Sequence, residues 1–140
     1  MDQQHELQND LQKILIGLDV AVNLFHKENV TAGWWTDPKT GKDYDRQVDT
    51  WKYIICTKLC LIHSEVSEAL EGFRKNLQDD KLPSRPMIEV ELADVLIRVF
   101  DLAGALELDL AGAVLAKRRF NLNREDHKLA SRQGESGKAF

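Results

Sequence analysis

Two pairs of carboxylate residues offer the clearest chemistry in this sequence. Glu65 and Glu68 stand three residues apart in one apolar segment, and Glu91 and Asp94 repeat that spacing in a later one. On a helix, side chains at i and i+3 lie one turn apart on the same side, where two negative charges repel each other. A bound cation offsets that repulsion. We therefore expect these four carboxylates to form a metal site between two neighbouring helices.

The ligand type predicts which metal this site prefers. Carboxylate oxygens without a thiolate or imidazole among them suit hard cations, so Mg²⁺ or Mn²⁺ is the expected cofactor. Apolar residues cover roughly 240° of the later helix, which leaves a narrow polar stripe formed by Glu91, Asp94, Arg98 and Asp101. A helix this apolar is mostly buried, so its carboxylates should face a cleft. The alternative is that both pairs are ordinary surface charges, neutralised by neighbours such as Arg98 or Lys75.

Basic residues downstream of the carboxylates predict an anionic ligand. Lys117, Asn121 and Arg124 follow one side of a helix at i, i+4 and i+7, Lys128 extends the run, and Lys138 lies in the tail. Metal ions held by carboxylates, with Lys and Arg side chains nearby, are an arrangement suited to a polyphosphate. The alternative is that these positive charges only complement the dipole at the end of their helix.

Two adjacent tryptophans are candidate substrate contacts. Trp34 and Trp35 lie in a segment without helical periodicity, where an aromatic face is free to stack on a nucleobase. Packing of these rings against a neighbouring helix or a second subunit is an equal alternative.

Other metal chemistries fit the sequence less well. Cys56, Cys60 and His63 fall on one side of a helix and form a conceivable soft-metal face, but a tetrahedral site needs a further ligand that we cannot place. Di-iron carboxylate bundles use Glu-x-x-His motifs on two helices, and this sequence contains none.

The elements that must position these residues are helices. Apolar residues recur with helical spacing, and no strand pattern of period two is visible. We predict an all-α fold with four main helices in one domain over residues 1–140. Its parts are a first helix over residues 1–27, a long loop with turn residues over 28–45, a helical catalytic core over 46–128 and an irregular tail over 129–140.

Capping residues predict where the later helices begin. Asp45 or Asp49 is expected to cap the second helix, and Asp109 the fourth. Ser84, followed by Pro86 in a first turn that tolerates proline, is expected to open the third.

Composition excludes several classes of protein. A net charge of −4 over 140 residues argues against a protein that holds a nucleic acid polymer on a broad basic face. No apolar run is long enough to span a membrane. The first residues lack a basic leader, so we see no secretory signal and expect a cytoplasmic protein.

The residues singled out so far resemble a known family. The block from Lys58 to Glu71, the block Glu91-Leu-Ala-Asp94 and the run from Lys117 to Asn121-Leu-Asn-Arg124 look like those of MazG-like nucleoside triphosphate pyrophosphohydrolases, an all-α superfamily. The resemblance covers residues 50–128, and the final Gly-Lys-Ala-Phe is similar to the ending of some members.

This resemblance implies a fold, an activity and site residues. It implies a four-helix MazG-like bundle that forms a homodimer or homotetramer and cleaves a (deoxy)nucleoside triphosphate to the monophosphate and pyrophosphate with Mg²⁺. By position, the metal ligands and catalytic residues would be Glu65, Glu68, Glu91 and Asp94. Lys117 and Arg124 would contact phosphate, and Asn121 the nucleotide. In such a site a metal-activated water attacks the α-phosphorus, with Glu68 or Glu65 as the acceptor of its proton.

A non-catalytic protein is the alternative function. The same helices and charges suit a helical module that binds a nucleotide as a sensor, or that interacts with another protein, without cleaving anything.

Overall fold

The computed structural model of the chain describes residues 2–133, which are mostly helical and contain no β-strand. The long helices are α1 (Asp2–Thr31), α2 (Trp51–Lys75), α3 (Met87–Ala105) and α4 (Leu110–Leu122). A 3-10 helix (Glu125–His127) and the short α5 (Leu129–Arg132) follow them. The predicted all-α class with four main helices is confirmed. No helix in this part of the chain is long and apolar enough to cross a membrane.

The first helix is longer than the predicted segment 1–27. It continues to Thr31, with the Asn29 side chain donating to the Phe25 carbonyl and the Thr31 hydroxyl to the carbonyl four residues before it, both at 2.9 Å. It ends before Gly33, whose φ of 82° is a left-handed conformation that glycine adopts without strain. Apolar periodicity fades one turn before the helix ends, because this last turn is largely exposed. The loop therefore occupies residues 32–50 rather than 28–45.

The second helix begins later than its predicted caps imply. It starts at Trp51 after Thr50, whose side chain makes no capping hydrogen bond. Asp45 instead accepts a hydrogen bond from the backbone N–H of Gln47 at 2.8 Å, inside the loop. Neither Asp45 nor Asp49 is the N-cap, because residues 46–50 form turns before the helix starts.

The chain divides into two compact units. One unit comprises Ala21–Leu108, and the other comprises the residues up to Val20 together with those from Asp109 onward. The predicted carboxylates and both loop tryptophans fall in the unit Ala21–Leu108, whereas Lys117, Asn121, Arg124 and Lys128 fall in the other unit.

Within the unit Ala21–Leu108, α2 and α3 pack directly against each other. Gly72 of α2 is required for this approach, since a Cβ atom there would lie 2.8 Å from Cβ of Met87. The core of the unit is formed by Trp35, Leu102 and Ala105, surrounded by the half-buried Trp51, Ile54, Ile55, Ile62 and Leu106. The end of α1 joins α3 through the stacked rings of Phe25 and Phe100, whose centroids are 6.0 Å apart. The carboxylate-bearing faces of α2 and α3 are thereby held at a fixed distance.

The other unit contains α4 and the residues after it. The Asp109 side chain accepts a hydrogen bond from the Gly112 N–H at 2.8 Å, so the predicted cap of the fourth helix is confirmed. Part of the predicted irregular tail is helical, because α5 occupies Leu129–Arg132. Lys138 lies outside the described residues.

Candidate functional site

Three of the four predicted carboxylates come together between α2 and α3. Glu65, Glu91 and Asp94 each offer an oxygen atom, and these atoms lie within 4.8 Å of one another. Glu65 is only 6% exposed and Glu91 only 7%. In residues 2–133 this is the one group of three or more acidic, histidine or cysteine side chains close enough to hold a metal ion. The two sequence pairs thus meet because their helices pack against each other.

Glu68, the fourth predicted carboxylate, lies beside this cluster rather than in it. Its side chain is exposed, and it is not among the three whose oxygens converge. Its negative charge nevertheless contributes to raising the pKa of Glu91, so it belongs to the same electrostatic neighbourhood.

Burial and the neighbouring carboxylates raise the pKa of Glu91. Burial, a hydrogen bond with Glu65 and repulsion by Glu68, Glu65 and Asp94 together raise the pKa of Glu91 from 4.5 to about 7. Burial contributes most, because a carboxylate that loses water is harder to ionise. A positive ion placed among these oxygens would reverse the effect and favour the ionised form.

Arg98 partly neutralises the cluster. Its Nη2 atom lies 2.8 Å from Glu65 Oε1, and it is placed one helical turn after Asp94 on α3. Its Nε atom is buried and has no hydrogen-bond partner. This contact agrees in part with the alternative that neighbouring cations neutralise the carboxylates, although a buried cluster is not an ordinary surface pair.

A cavity of about 170 Å³ opens next to the carboxylates. It is lined by residues of α1, the loop, α2 and α3: Asn29, Trp34, Lys58, Leu61, Asp94, Ile97, Arg98 and Asp101. Asp94 belongs to both the cluster and the cavity wall, so a molecule in this cavity would lie beside the candidate metal site. Besides the carboxylates of Asp94 and Asp101, the cavity wall carries two cationic side chains, Lys58 and Arg98. These two can bind an anionic group when they are not paired.

Asp101 is a buried residue of the cavity wall that contacts three other elements. It is 5% exposed and accepts hydrogen bonds from Trp35 Nε1 at 2.7 Å and from His26 Nδ1 at 2.9 Å. Lys58 Nζ lies 3.9 Å from its second oxygen. One carboxylate therefore fixes the end of α1, the loop and α2 with respect to α3.

Lys58 connects the loop to α2. Its Nζ donates a hydrogen bond to the Trp34 carbonyl at 3.0 Å and lies 4.4 Å from the centroid of the Trp35 ring. Burial lowers the pKa of Lys58, the charge of Asp101 raises it, and the charge of Arg98 lowers it further. Lys58 thus has a structural role as well as a place in the cavity wall.

The two tryptophans differ in environment. Trp34 is 64% exposed and lines the cavity, so it stays a candidate for stacking on a ligand. Trp35 is 7% exposed, is bound to Asp101, and packs against Trp51 with ring centroids 5.7 Å apart. For Trp35 the predicted substrate role is replaced by the packing alternative, because its ring is enclosed in the core.

Four residues that were predicted to bind the substrate, Lys117, Asn121, Arg124 and Lys128, lie in the other unit. Asn121, Arg124 and Lys128 line a second cavity of about 490 Å³. Arg124 binds Asp126, Lys128 binds Glu125, and Asn121 Oδ1 is buried without a hydrogen-bond partner. Lys117 is exposed, with its Nζ 4.7 Å from the centroid of the Phe120 ring. These contacts lie within the unit, and the role of these residues in binding a substrate stays a prediction.

The soft-metal alternative gains no support. Cys56 and Cys60 are free and exposed, and His63 is also exposed. These three do not form a group close enough to hold a metal ion in the part of the chain that the structure describes.

The sequence contained signals for side chains that were not predicted as part of the site. Lys58 is seven residues before Glu65, so it lies on the same side of α2. Arg98 and Asp101 follow Asp94 at i+4 and i+7 in the polar stripe of α3. Helical spacing could therefore have assigned these three residues to the site, whereas His26 and Asn29 come from α1 and meet it only through tertiary packing.

Comparisons with known protein families, with curated proteins and with solved structures return no match for this chain.

Proposed function

We propose that this protein hydrolyses a (deoxy)nucleoside triphosphate to the monophosphate and pyrophosphate with the help of Mg²⁺ or Mn²⁺, as its resemblance to MazG-like enzymes implies. The observation that carries the proposal is the convergence of Glu65, Glu91 and Asp94 within 4.8 Å, beside a cavity with two cationic residues in its wall. An acidic cluster that can hold a metal ion, next to positively charged side chains, is an arrangement suited to polyphosphate chemistry.

The donor set fits a hard divalent cation. All three converging ligands are carboxylates, and the pKa of Glu91 is raised by burial first and by its carboxylate neighbours second, so a cation among them would favour its ionised form. Glu65, Glu91 and Asp94 would hold the ion, and the charge of Glu68, which also raises the pKa of Glu91, would act on it from beside the cluster. When bound, such a cation lowers the pKa of a water molecule and offsets charge on phosphate oxygens.

The chain's own residues have distinct roles in this proposal. Glu68 accepts the proton of the water that attacks the α-phosphorus, because it is exposed and, unlike Glu65, is not one of the three converging ligands. Arg98 and Lys58 attract the phosphate chain into the cavity, and the exposed face of Trp34 stacks on the base. Lys117, Asn121, Arg124, Lys128 and Lys138 are proposed as further substrate contacts on the basis of the predicted charge pattern alone.

We also propose that the protein acts as a homodimer or homotetramer in the cytoplasm. Large apolar side chains of α2 and α3 are about half exposed or more, among them Val66, Leu70, Phe73, Leu92 and Leu96. Exposed apolar area of this kind is typical of an interface between subunits. Light scattering coupled to size-exclusion chromatography tests this, and a monomer at micromolar concentration would contradict it.

The activity is tested by measuring pyrophosphate release from a panel of nucleoside and deoxynucleoside triphosphates, with Mg²⁺ or with EDTA. We expect release only with the metal. Since loss of even an outer partner of a metal ligand costs roughly 10- to 100-fold, Asp94→Asn should lower kcat/KM by more than about 100-fold. Glu89→Gln, which changes an exposed carboxylate of α3 bound to Arg85, is the matched control.

The same experiment separates the enzyme from the non-catalytic alternative. A nucleotide sensor would show a higher melting temperature with nucleotide, because ligand binding stabilises the native state, but would release no pyrophosphate. A protein-interaction module would show neither response.

A further inference from the structure

The Arg98 side chain connects the carboxylate cluster to the adjoining cavity. One end of its guanidinium group binds Glu65 Oε1 at 2.8 Å, whereas its buried Nε makes no hydrogen bond. The same side chain lines the cavity together with Asp94 and Lys58. Arg98 therefore touches the place where a cation would bind and the place where an anion would bind.

A cation and Arg98 compete for the carboxylate of Glu65, one oxygen of which Arg98 binds. The guanidinium group cannot lose its proton at ordinary pH, so it cannot respond to a neighbouring divalent ion by becoming neutral. A cation that binds Glu65 either takes the oxygen that Arg98 holds or lies close to the guanidinium on the other oxygen, and in both cases the two positive charges repel each other. A displaced guanidinium group has donors in a planar fork that matches two phosphate oxygens.

Lys58 does not offer the same response. Its Nζ is held by the Trp34 carbonyl at 3.0 Å and lies 3.9 Å from Asp101, which keeps it anchored to the loop and to α3. Arg98 is thus the side chain in the cavity wall whose positive charge becomes available when the cluster binds a cation.

We propose that Arg98 imposes an order of binding on this site. A divalent cation displaces the guanidinium from Glu65, and the freed fork then binds a phosphate group in the cavity beside Asp94. The inference rests on the proposed function and adds to it the regulation of the same site. While Arg98 holds Glu65, the cavity is a poor site for phosphate, so substrate binds well only after the cation.

The first arm of the test measures Mg²⁺ binding by calorimetry, with the whole protein and no nucleotide. The loss of one charge-assisted hydrogen bond corresponds to about a tenfold change in affinity. Arg98→Gln should therefore bind Mg²⁺ about tenfold more tightly than the wild type. Arg85→Gln, which removes an exposed arginine next to α3, should match the wild type. Equal or weaker Mg²⁺ binding by Arg98→Gln would overturn the competition.

The second arm measures the binding of inorganic pyrophosphate at saturating Mg²⁺. Arg98→Gln should bind pyrophosphate about tenfold more weakly than the wild type, opposite in sign to its effect on Mg²⁺. A residue that only supports the fold would move both affinities in the same direction, and that result would overturn the proposal. Arg98→Lys is a second variant, which tests the proposal even if Arg98→Gln does not fold. Because it keeps the charge but lacks the fork, it should retain near wild-type Mg²⁺ affinity and lose several-fold in pyrophosphate affinity, and unchanged pyrophosphate affinity would contradict the fork.

The outcomes also separate this inference from the proposed function. If the wild type binds Mg²⁺ and releases pyrophosphate from a nucleotide but Arg98→Gln shows no opposite shifts, only the ordered binding fails. If neither the wild type nor Arg98→Gln binds Mg²⁺ at millimolar concentration, the proposed function fails as well.

Discussion

Replacing Glu91 with glutamine should stabilise the protein in the absence of metal, and only above the acidic range. The native pKa of Glu91 is about 7, against 4.5 for an unperturbed glutamate, because the side chain is buried among other carboxylates. The unfolded chain therefore loses this proton before the native protein does. Below about pH 4.5 both states keep the proton, so Glu91 does not lower the free energy of unfolding. As the pH rises through about 7, part of this free energy is lost, because the native state must then ionise a buried carboxyl group.

The size of the effect follows from the two pKa values. A rise from 4.5 to about 7 corresponds to a destabilisation of about 3 kcal/mol at about pH 8. Glutamine is neutral at every pH and keeps a polar group for Glu65. The free energy of unfolding of Glu91→Gln should therefore be close to that of the wild type at about pH 4.5 and up to about 3 kcal/mol higher at about pH 8.

Urea unfolding followed by circular dichroism in EDTA measures this difference at both pH values. Glu89→Gln is the matched control, because Glu89 is an exposed carboxylate of α3 and its pair with Arg85 is worth under about 1 kcal/mol at any pH in this range. The reasoning is refuted if Glu91→Gln is destabilised equally at both pH values. It is also refuted if the wild type and Glu91→Gln lose the same amount of stability between about pH 4.5 and about pH 8.

Other perturbations have smaller or simpler effects. Trp34→Ala should raise KM about tenfold and leave kcat nearly unchanged, since one stacked ring contributes about 1–3 kcal/mol to binding, and steady-state kinetics measures this. Trp35→Ala should lower the free energy of unfolding by about 3–5 kcal/mol in urea melts, because this ring is part of the core. Gly72→Ala should cost about 1–3 kcal/mol, as the new methyl group meets Met87, and thermal melts measure the loss. Asp109→Ala should cost about 1 kcal/mol through loss of the α4 cap, again measured in urea.

Each of these has a result that contradicts it. Equal KM values for the wild type and Trp34→Ala would remove the stacking role of that ring. A Trp35→Ala protein as stable as the wild type would show that the core does not depend on this ring. If Gly72→Ala melts at the same temperature as the wild type, α2 and Met87 separate easily. For Asp109, the control is Asp109→Asn, which keeps a capping oxygen and should be as stable as the wild type. Equal stability of Asp109→Ala and Asp109→Asn would contradict the role of the cap.

Helical periodicity predicted the parts of the site that lie on single helices. The i, i+3 carboxylate pairs and the polar stripe of α3 follow from spacing alone, and their meeting follows from the packing of two apolar helices. The cap at Asp109 was predictable for a similar reason, because it depends on local sequence. The end of α1 was not, since its last turn is largely exposed and carries no apolar signal.

The loop shows what spacing cannot decide. Trp34 and Trp35 are adjacent, and no periodicity tells which ring is buried. Trp35 is enclosed because Asp101, far along the chain on α3, accepts its indole N–H. The exclusion of Glu68 from the converging oxygens is also a tertiary effect, because spacing places it on the same side of α2 as Glu65 but does not give its distance from α3.

Titration of the protein with Mn²⁺, with the free ion measured by electron paramagnetic resonance, tests the central claim most directly. The wild type should remove Mn²⁺ from solution at a saturable site, and Asp94→Asn should lose that site while Glu89→Gln keeps it. Equal Mn²⁺ binding by the wild type and Asp94→Asn, or no saturable binding by the wild type, would contradict the assignment of Glu65, Glu91 and Asp94 as the ligands of a divalent cation.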